Sequence, residues 1–204
     1  ALIEVKRNPD MELQIVLTSS ALLDRYGPIN NTLAKDGLTP DSVVYNVLEG
    51  ENLVTSAKTT SIAILELSSV FERLKPDAVI TVADRFETMA TAITASYMNI
   101  PLVHVQGGEV TGSIDEKVRH AVTKLSNVHF VCNKVAQERV IKMGEHPDTV
   151  HITGCPSIDL AAQVKENPDL AKNPRDEYGG VGTKVDMSNG YYVVMHHQVT
   201  TEYK

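Results

Sequence analysis

The chain has 204 residues, 42% apolar and 22% charged, the balance of an ordinary globular protein. Its 19 basic and 26 acidic residues leave a net charge of −7, which argues against nucleic acid or an anionic membrane surface as partner; no apolar run reaches the ~18 residues of a spanning helix. Two cysteines, Cys132 and Cys155, cannot form a disulfide framework, so a reduced, cytoplasmic setting is expected.

In chain order, Ala1 to Arg7 reads as a helix without a cap, and Asn8-Pro9-Asp10 as a turn. Glu12 to Thr18 (ELQIVLT) is a predicted strand. A chain that opens inside a helix just ahead of a strand is expected to have an earlier strand and loop before it. Ser19 to Pro28 carries Leu22, Leu23 and Tyr26, the cluster of a short helix or ordered loop. Ile29 to Leu38 reads as a polar, mobile segment, and Ser42 to Val47 as a strand. Gly50 to Lys58 is loop and helix start; Ile64, Leu67, Phe71 and Leu74 then follow at helical spacing until Lys75-Pro76.

The stretch from Lys75 to Lys124 organises the rest. Ala78 to Val82 (AVITV) is short, apolar and rich in β-branched residues, which predicts a strand buried on both faces. It ends in the polar cluster Asp84-Arg85-Phe86-Glu87. Met89, Ile93 and Tyr97, four apart, predict a helix over Thr88 to Met98, closed by Pro101. Leu102 to Val105 is a second strand, ending in Gln106-Gly107-Gly108-Glu109. The next helix is expected near Ser113, with Ser113 and Glu116 as a capping box.

Beyond it, Val128 to Val131 and Thr149 to Thr153 read as strands, Lys134 to Met143 and Asp159 to Glu166 as helices. Asn167 to Lys184 holds Pro168, Pro174 and three glycines and reads as a linker. Tyr191 to Met195 (YYVVM) is a further predicted strand, followed by His196-His197-Gln198 and Thr200. Strands alternating with helices at this spacing predict an α/β fold: a Rossmann-like parallel sheet flanked by helices.

Several chemistries lack their residues. No G-x-G-x-x-G follows a strand, no phosphate loop or G-x-S-x-G elbow occurs, and two distant cysteines do not make a zinc site. Neither a cofactor nor a metal is expected. What remains is a set of carboxylates and amides at the carboxyl ends of two neighbouring strands, the edge where open α/β sheets bind ligands. Asp84 is a candidate for proton transfer, with a helix N-cap as its alternative. Glu109, after Gly107 and Gly108, could approach a ligand or simply close a turn. Asp115 and Glu116 could act in the site or match the helix dipole. Arg119 and His120 lie one turn on, with a surface ion pair and a half-buried histidine as their alternatives.

The runs VADRFETMATAITASYMNIPLVHVQGGEVTGSIDEKVRHAVTKLSNVHFVCN, VHITGCPSIDL and VVMHHQVTTE resemble the UDP-N-acetylglucosamine 2-epimerase family. The segments ADRFE, GGEVTGSID and RHAVTKL are most similar to its hydrolysing branch, which serves sialic-acid-type synthesis. The resemblance implies a two-domain, glycosyltransferase-B-like fold with a UDP-sugar in the cleft between two Rossmann-like domains. Residues 1–160 would be the first domain without its first strand, 161–190 a connecting helix and linker, and 191–204 the start of the second. It implies a homodimer or homotetramer. It also implies elimination of UDP across C1–C2 to a 2-acetamidoglucal, then addition of water with C2 inverted.

By position, Asp84, Asp115 or its neighbour Glu116, Arg119 and His197 match the family's functional positions. Arg85, Gln106, Gly107, Gly108 and Thr200 would join Arg119 in contacting substrate. Two departures stand out. Gln106 replaces a common glutamate and cannot act as a base, which leaves that role to Glu109 or to another group; Gln198 replaces a common proline. The alternatives are a 2-epimerase of a UDP-2,4-diacetamido-trideoxyhexose and a sugar-nucleotide-binding module without turnover.

Overall fold

The computed structural model describes residues 2–50 except 24, 26 and 28, residues 52–167, and beyond them residues 176, 179–183, 190, 192, 194 and 195. The chain divides into two compact units, Ala1–Gly154 and Cys155–Lys204. Among the described residues the first unit holds six strands: β1 (Val16–Thr18), β2 (Ser42–Val44), β3 (Val79–Val82), β4 (Leu102–Val105), β5 (Val128–Val131) and β6 (Val150–Ile152). Its helices are α1 (Leu2–Arg7), α2 (Ile29–Lys35), α3 (Leu53–Leu74), α4 (Phe86–Tyr97), α5 (Ile114–Leu125) and α6 (Lys134–Lys142). All described pairings are parallel: β1 pairs with β2, and β3-β4-β5-β6 form a four-stranded sheet in chain order. The predicted α/β class with helices flanking a parallel sheet is what the structure has.

Helices α4, α5 and α6 pack on the four-stranded sheet, and α3 packs on α4. The shared core joins Leu67 and Phe71 of α3, Ala90, Ala92 and Ala95 of α4, Leu102 of β4 and Val122 of α5. Three fully buried alanines let α4 approach its neighbours closely, while each buried Leu or Phe contributes roughly 1.5–3 kcal/mol. The start of α3 is set by Asn52, whose Oδ1 accepts from the amides of Val54 and Thr55 while Thr55 Oγ1 accepts from the Asn52 amide. That reciprocal cap starts the helix at Leu53, within the Gly50 to Lys58 stretch expected to hold loop and helix start.

Four expectations need correction. Strand β3 is buried on one face only: Val79 and Thr81 point inward, but Ile80 and Val82 are about half exposed. An alternating strand beside helices on one face leaves every second side chain outside. Segment 29–38 holds helix α2 where no element was expected, and Leu33 of α2 and Leu38 beyond it pack against Ile15 and Leu17. The strands predicted over Glu12–Thr18 and Ser42–Val47 shorten to three residues each. Tyr192, Val194 and Met195, from the predicted strand Tyr191–Met195, are exposed and not in a strand.

In the second unit, helix α7 (Pro156–Glu166) starts three residues before Asp159, with Pro156 at its first position, where a fixed φ and a missing N–H cost nothing. No helix among the described residues is long and apolar enough to cross a membrane.

Candidate functional site

Three strands end the same way. The residue directly after β1, β3 and β4 is a non-glycine in the left-handed region: Ser19 (φ 53°), Ala83 (φ 65°) and Gln106 (φ 66°). Such residues cost about 1–3 kcal/mol each and persist only where neighbours over-determine them. Those neighbours are present. The Ser19 amide and hydroxyl bond to buried Asn46 at 2.9 and 3.1 Å. Ala83 donates its amide to the Val105 carbonyl (2.9 Å) and Gln106 donates to the Phe130 carbonyl (2.8 Å), so each ladder runs one residue past its strand.

The sharp turn at Ala83 delivers Asp84. Its carboxylate forms an ion pair with Arg119 Nη2, and Arg119 Nη1 donates to the Glu109 carbonyl at 2.7 Å. Arg119 is almost wholly buried on the inner face of α5, and Asp84 keeps 20% of its side chain exposed. One guanidinium therefore joins the loop after β3 to the loop after β4. Burial pulls the Arg119 pKa down from its ordinary value. Asp84 is not the cap of α4: that position is Arg85, whose side chain makes no cap bond. The exposed Arg85 guanidinium instead lies 3.5 Å from Glu87 Oε2 and stacks near the Phe86 ring.

The loop after β4 is packed from beneath. A Cβ on Gly107 would meet Thr123 Oγ1 at 2.9 Å and His104 Nδ1 at 3.0 Å, and one on Gly108 would meet the Ala136 carbonyl at 2.5 Å. No side chain fits either place. Arg139 of α6 donates to the Gly108 carbonyl, and Asn133, the cap of α6, donates to Glu109 Oε1 at 3.2 Å. The Glu109 carboxylate is thus drawn toward the loop after β5, while its carbonyl is held by Arg119.

Asp115 and Glu116 start α5, but their surroundings differ. Asp115 is exposed, its amide donating to the Ser113 hydroxyl, which caps the helix. The expected capping box with Glu116 does not form. Glu116 Oε2 instead accepts from the amides of Thr111 (2.8 Å) and Gly112 (2.6 Å). Those two bonds, Gly112 first, hold its pKa below the ordinary carboxylate value. Its carboxylate closes the 111–112 turn.

Asp84, Arg119, the 106–109 loop and Glu109 are brought together. Asp115 and Glu116 lie on the helix that carries Arg119. His197 and Thr200 lie outside the described residues. The sequence reading gave no role to His104 on β4, Glu87 on α4 or Asn133. Glu87 accepts from the Ser20 hydroxyl after β1, so it ties that turn to the start of α4. Its signal was present, as the last charge of the polar cluster that follows β3. Among the described residues no group of three or more His, Cys, Asp or Glu could hold a metal.

The profile of the family described as UDP-N-acetylglucosamine 2-epimerase matches residues 3–204. A UDP-N,N'-diacetylbacillosamine 2-epimerase (hydrolyzing) of Legionella pneumophila is 34% identical over 196 residues, covering 96% of this chain and 50% of that protein. A UDP-N-acetylglucosamine 2-epimerase of Neisseria meningitidis is 30% identical over 198 residues, covering 97% and 50%. The chain spans about half the length of these relatives. A crystal structure of UDP-GlcNAc 2-epimerase from Neisseria meningitidis bound to UDP-GlcNAc superposes with a TM-score of 0.70 at 21% identity, over 83% of this chain and 46% of that one.

Proposed function

The chain belongs to the UDP-N-acetylglucosamine 2-epimerase family, and on that premise we propose that the full-length protein is a hydrolysing 2-epimerase. It converts UDP-N-acetylglucosamine and water to N-acetylmannosamine and UDP. The observation that carries this reading is Arg119 gripping both the Asp84 carboxylate and the Glu109 carbonyl. It joins two carboxylate-bearing loops at the sheet edge where ligands bind.

The reaction sets the requirements. The proton at C2 is weakly acidic, so its removal must be coupled to departure of the diphosphate from C1. The C2–H and C1–O bonds break, C1 and C2 become doubly bonded, and UDP leaves. Water then gives its hydroxyl to C1, and a proton returns to C2 on the opposite face. Asp84 is the carboxylate most firmly built into the edge, and we assign it to the C2 proton. Glu109 and Asp115 are assigned as further proton-handling groups, and His197 is assigned with them by its match to the family's functional position. Glu116 serves by fixing the turn before α5. Arg85, exposed beside Asp84, suits the diphosphate, while Gln106, Gly107, Gly108, Arg119 and Thr200 frame the sugar nucleotide. We place the enzyme in the cytoplasm as a homo-oligomer, in the synthesis of sialic-acid-type sugars.

A second reading is favoured by the 34% identity to the Legionella relative: the substrate is a UDP-2,4-diacetamido-trideoxyhexose. Side-by-side assays of full-length protein with the two nucleotides separate the readings. UDP and free N-acetylmannosamine are expected from the first substrate. Release of UDP from the diacetamido nucleotide alone would transfer the assignment, and release from neither would end both.

A further inference from the structure

The geometry points to His104 as a positioning residue: through the Ala83 carbonyl it sets the backbone turn that aims Asp84, while Thr123 orients its ring. The inference rests on the reading of Asp84 as the proton-handling group. A fully buried histidine is more often a satisfied core residue, so the connections matter. His104 Nε2 lies 2.8 Å from the Ala83 carbonyl, and Nδ1 lies 3.1 Å from Thr123 Oγ1. A carbonyl only accepts, so Nε2 carries the hydrogen and Nδ1 accepts from the Thr123 hydroxyl. Ala83 is the left-handed residue directly before Asp84.

Thr123 lies one turn from Arg119 on the same buried face of α5. Asp84 is thus fixed twice by one helix: its carboxylate through Arg119, and its main chain through Thr123, His104 and Ala83. The missing Cβ of Gly107 leaves room for the His104–Thr123 pair beneath the second loop. The ring must also stay neutral to keep its acceptor nitrogen. Burial, joined by the neighbouring His129 and opposed by the Ala83 bond, lowers its pKa to about 4. The pair therefore holds through the neutral range.

The test uses His104→Ala, His104→Gln and Thr123→Val in the full-length protein. Loss of the Ala83 bond in His104→Ala is expected to lower kcat about 100-fold with KM little changed, since a reacting group misplaced by about 1 Å costs that much. His104→Gln, whose amide can reach the same carbonyl, is expected to recover most of it. Thr123→Val falls between and decides the case if His104→Ala does not fold. Crystal structures of the variants give the reading that does not depend on activity. Ala83 leaving the left-handed region in His104→Ala or Thr123→Val, with the Asp84–Arg119 pair broken, supports the proposal even if neither nucleotide turns over and the functional reading fails. Ala83 and Asp84 unmoved in all three variants, or His104→Gln as slow as His104→Ala, would overturn it.

Discussion

His104 and His129 stand on the same rung of adjacent strands, side by side on the same face, and both are fully buried. Their connections diverge. His104 bonds outward to the turn before Asp84 and to Thr123, so both ring nitrogens are used. His129 Nε2 is paired with Glu145 Oε2 at 3.3 Å, Nδ1 has no hydrogen-bond partner among the described residues, and Lys124 binds the other oxygen of that carboxylate. Burial lowers the His129 pKa, with Glu145 opposing. One histidine belongs to the β3–β4 flank, where strained turns and carboxylates converge. The other belongs to the β5–β6 flank, where a lysine, a glutamate and a ring fasten α5 to the loop before β6. The same residue type at the same depth thus takes its role from what its ring can reach.

The largest effect belongs to the first flank. Asp84→Asn in the full-length protein removes the assigned proton acceptor but keeps the shape, and turnover is expected to fall ~100- to 10,000-fold. Product release at the wild-type rate would detach the β3–β4 flank from the chemistry altogether. Next comes a pH effect on stability. In the native protein His104 stays neutral down to about pH 4, whereas in the unfolded chain it takes its proton near 6.5. Between those values the unfolded state holds the extra proton, so stability rises with pH through that window and is flat above it. The span is on the order of 3 kcal/mol. Denaturant midpoints between pH 4 and 7 should show a shallower slope in His104→Gln than in wild type; equal slopes would show that the ring is not held neutral.

Much of this organisation is legible in the sequence. Strand lengths and flanks placed β3 to β6 and the helices between them, and the polar residues after β3 and β4 marked the edge proposed to bind the ligand. What failed were distinctions that periodicity cannot carry. Four apolar residues and a threonine in AVITV do not tell a strand covered on both faces from one covered on a single face. Asp84 stands where a cap could stand, and only tertiary structure reveals that Arg119, 35 positions on, takes its carboxylate. Ser113 and Glu116 have capping-box spacing, yet the turn at Gly112 (φ 71°) brings two earlier amides within reach of Glu116. Ile29 and Leu33, four apart, were the helical signal in a segment dominated by polar side chains. His104 was visible as the one polar residue in LVHV, at an inward position, but its partners lie 21 and 19 residues away.

The smallest effect is the sharpest test of the contrast. In His129→Gln the side chain remains polar and within reach of Glu145, and the Glu145 pair of His129 leads away from Ala83, Gly107 and Arg119. Turnover should stay within about twofold of wild type, while stability falls by roughly 1 kcal/mol, the ordinary cost of a buried substitution. Its neighbour His104 would lose one small charge interaction and keep both hydrogen bonds. Thermal unfolding and steady-state kinetics on the same preparation read the two quantities together. If His129→Gln slowed turnover as much as His104→Ala, the whole rung would act as one unit. The division of the sheet into a flank that aims and a flank that fastens would then be wrong.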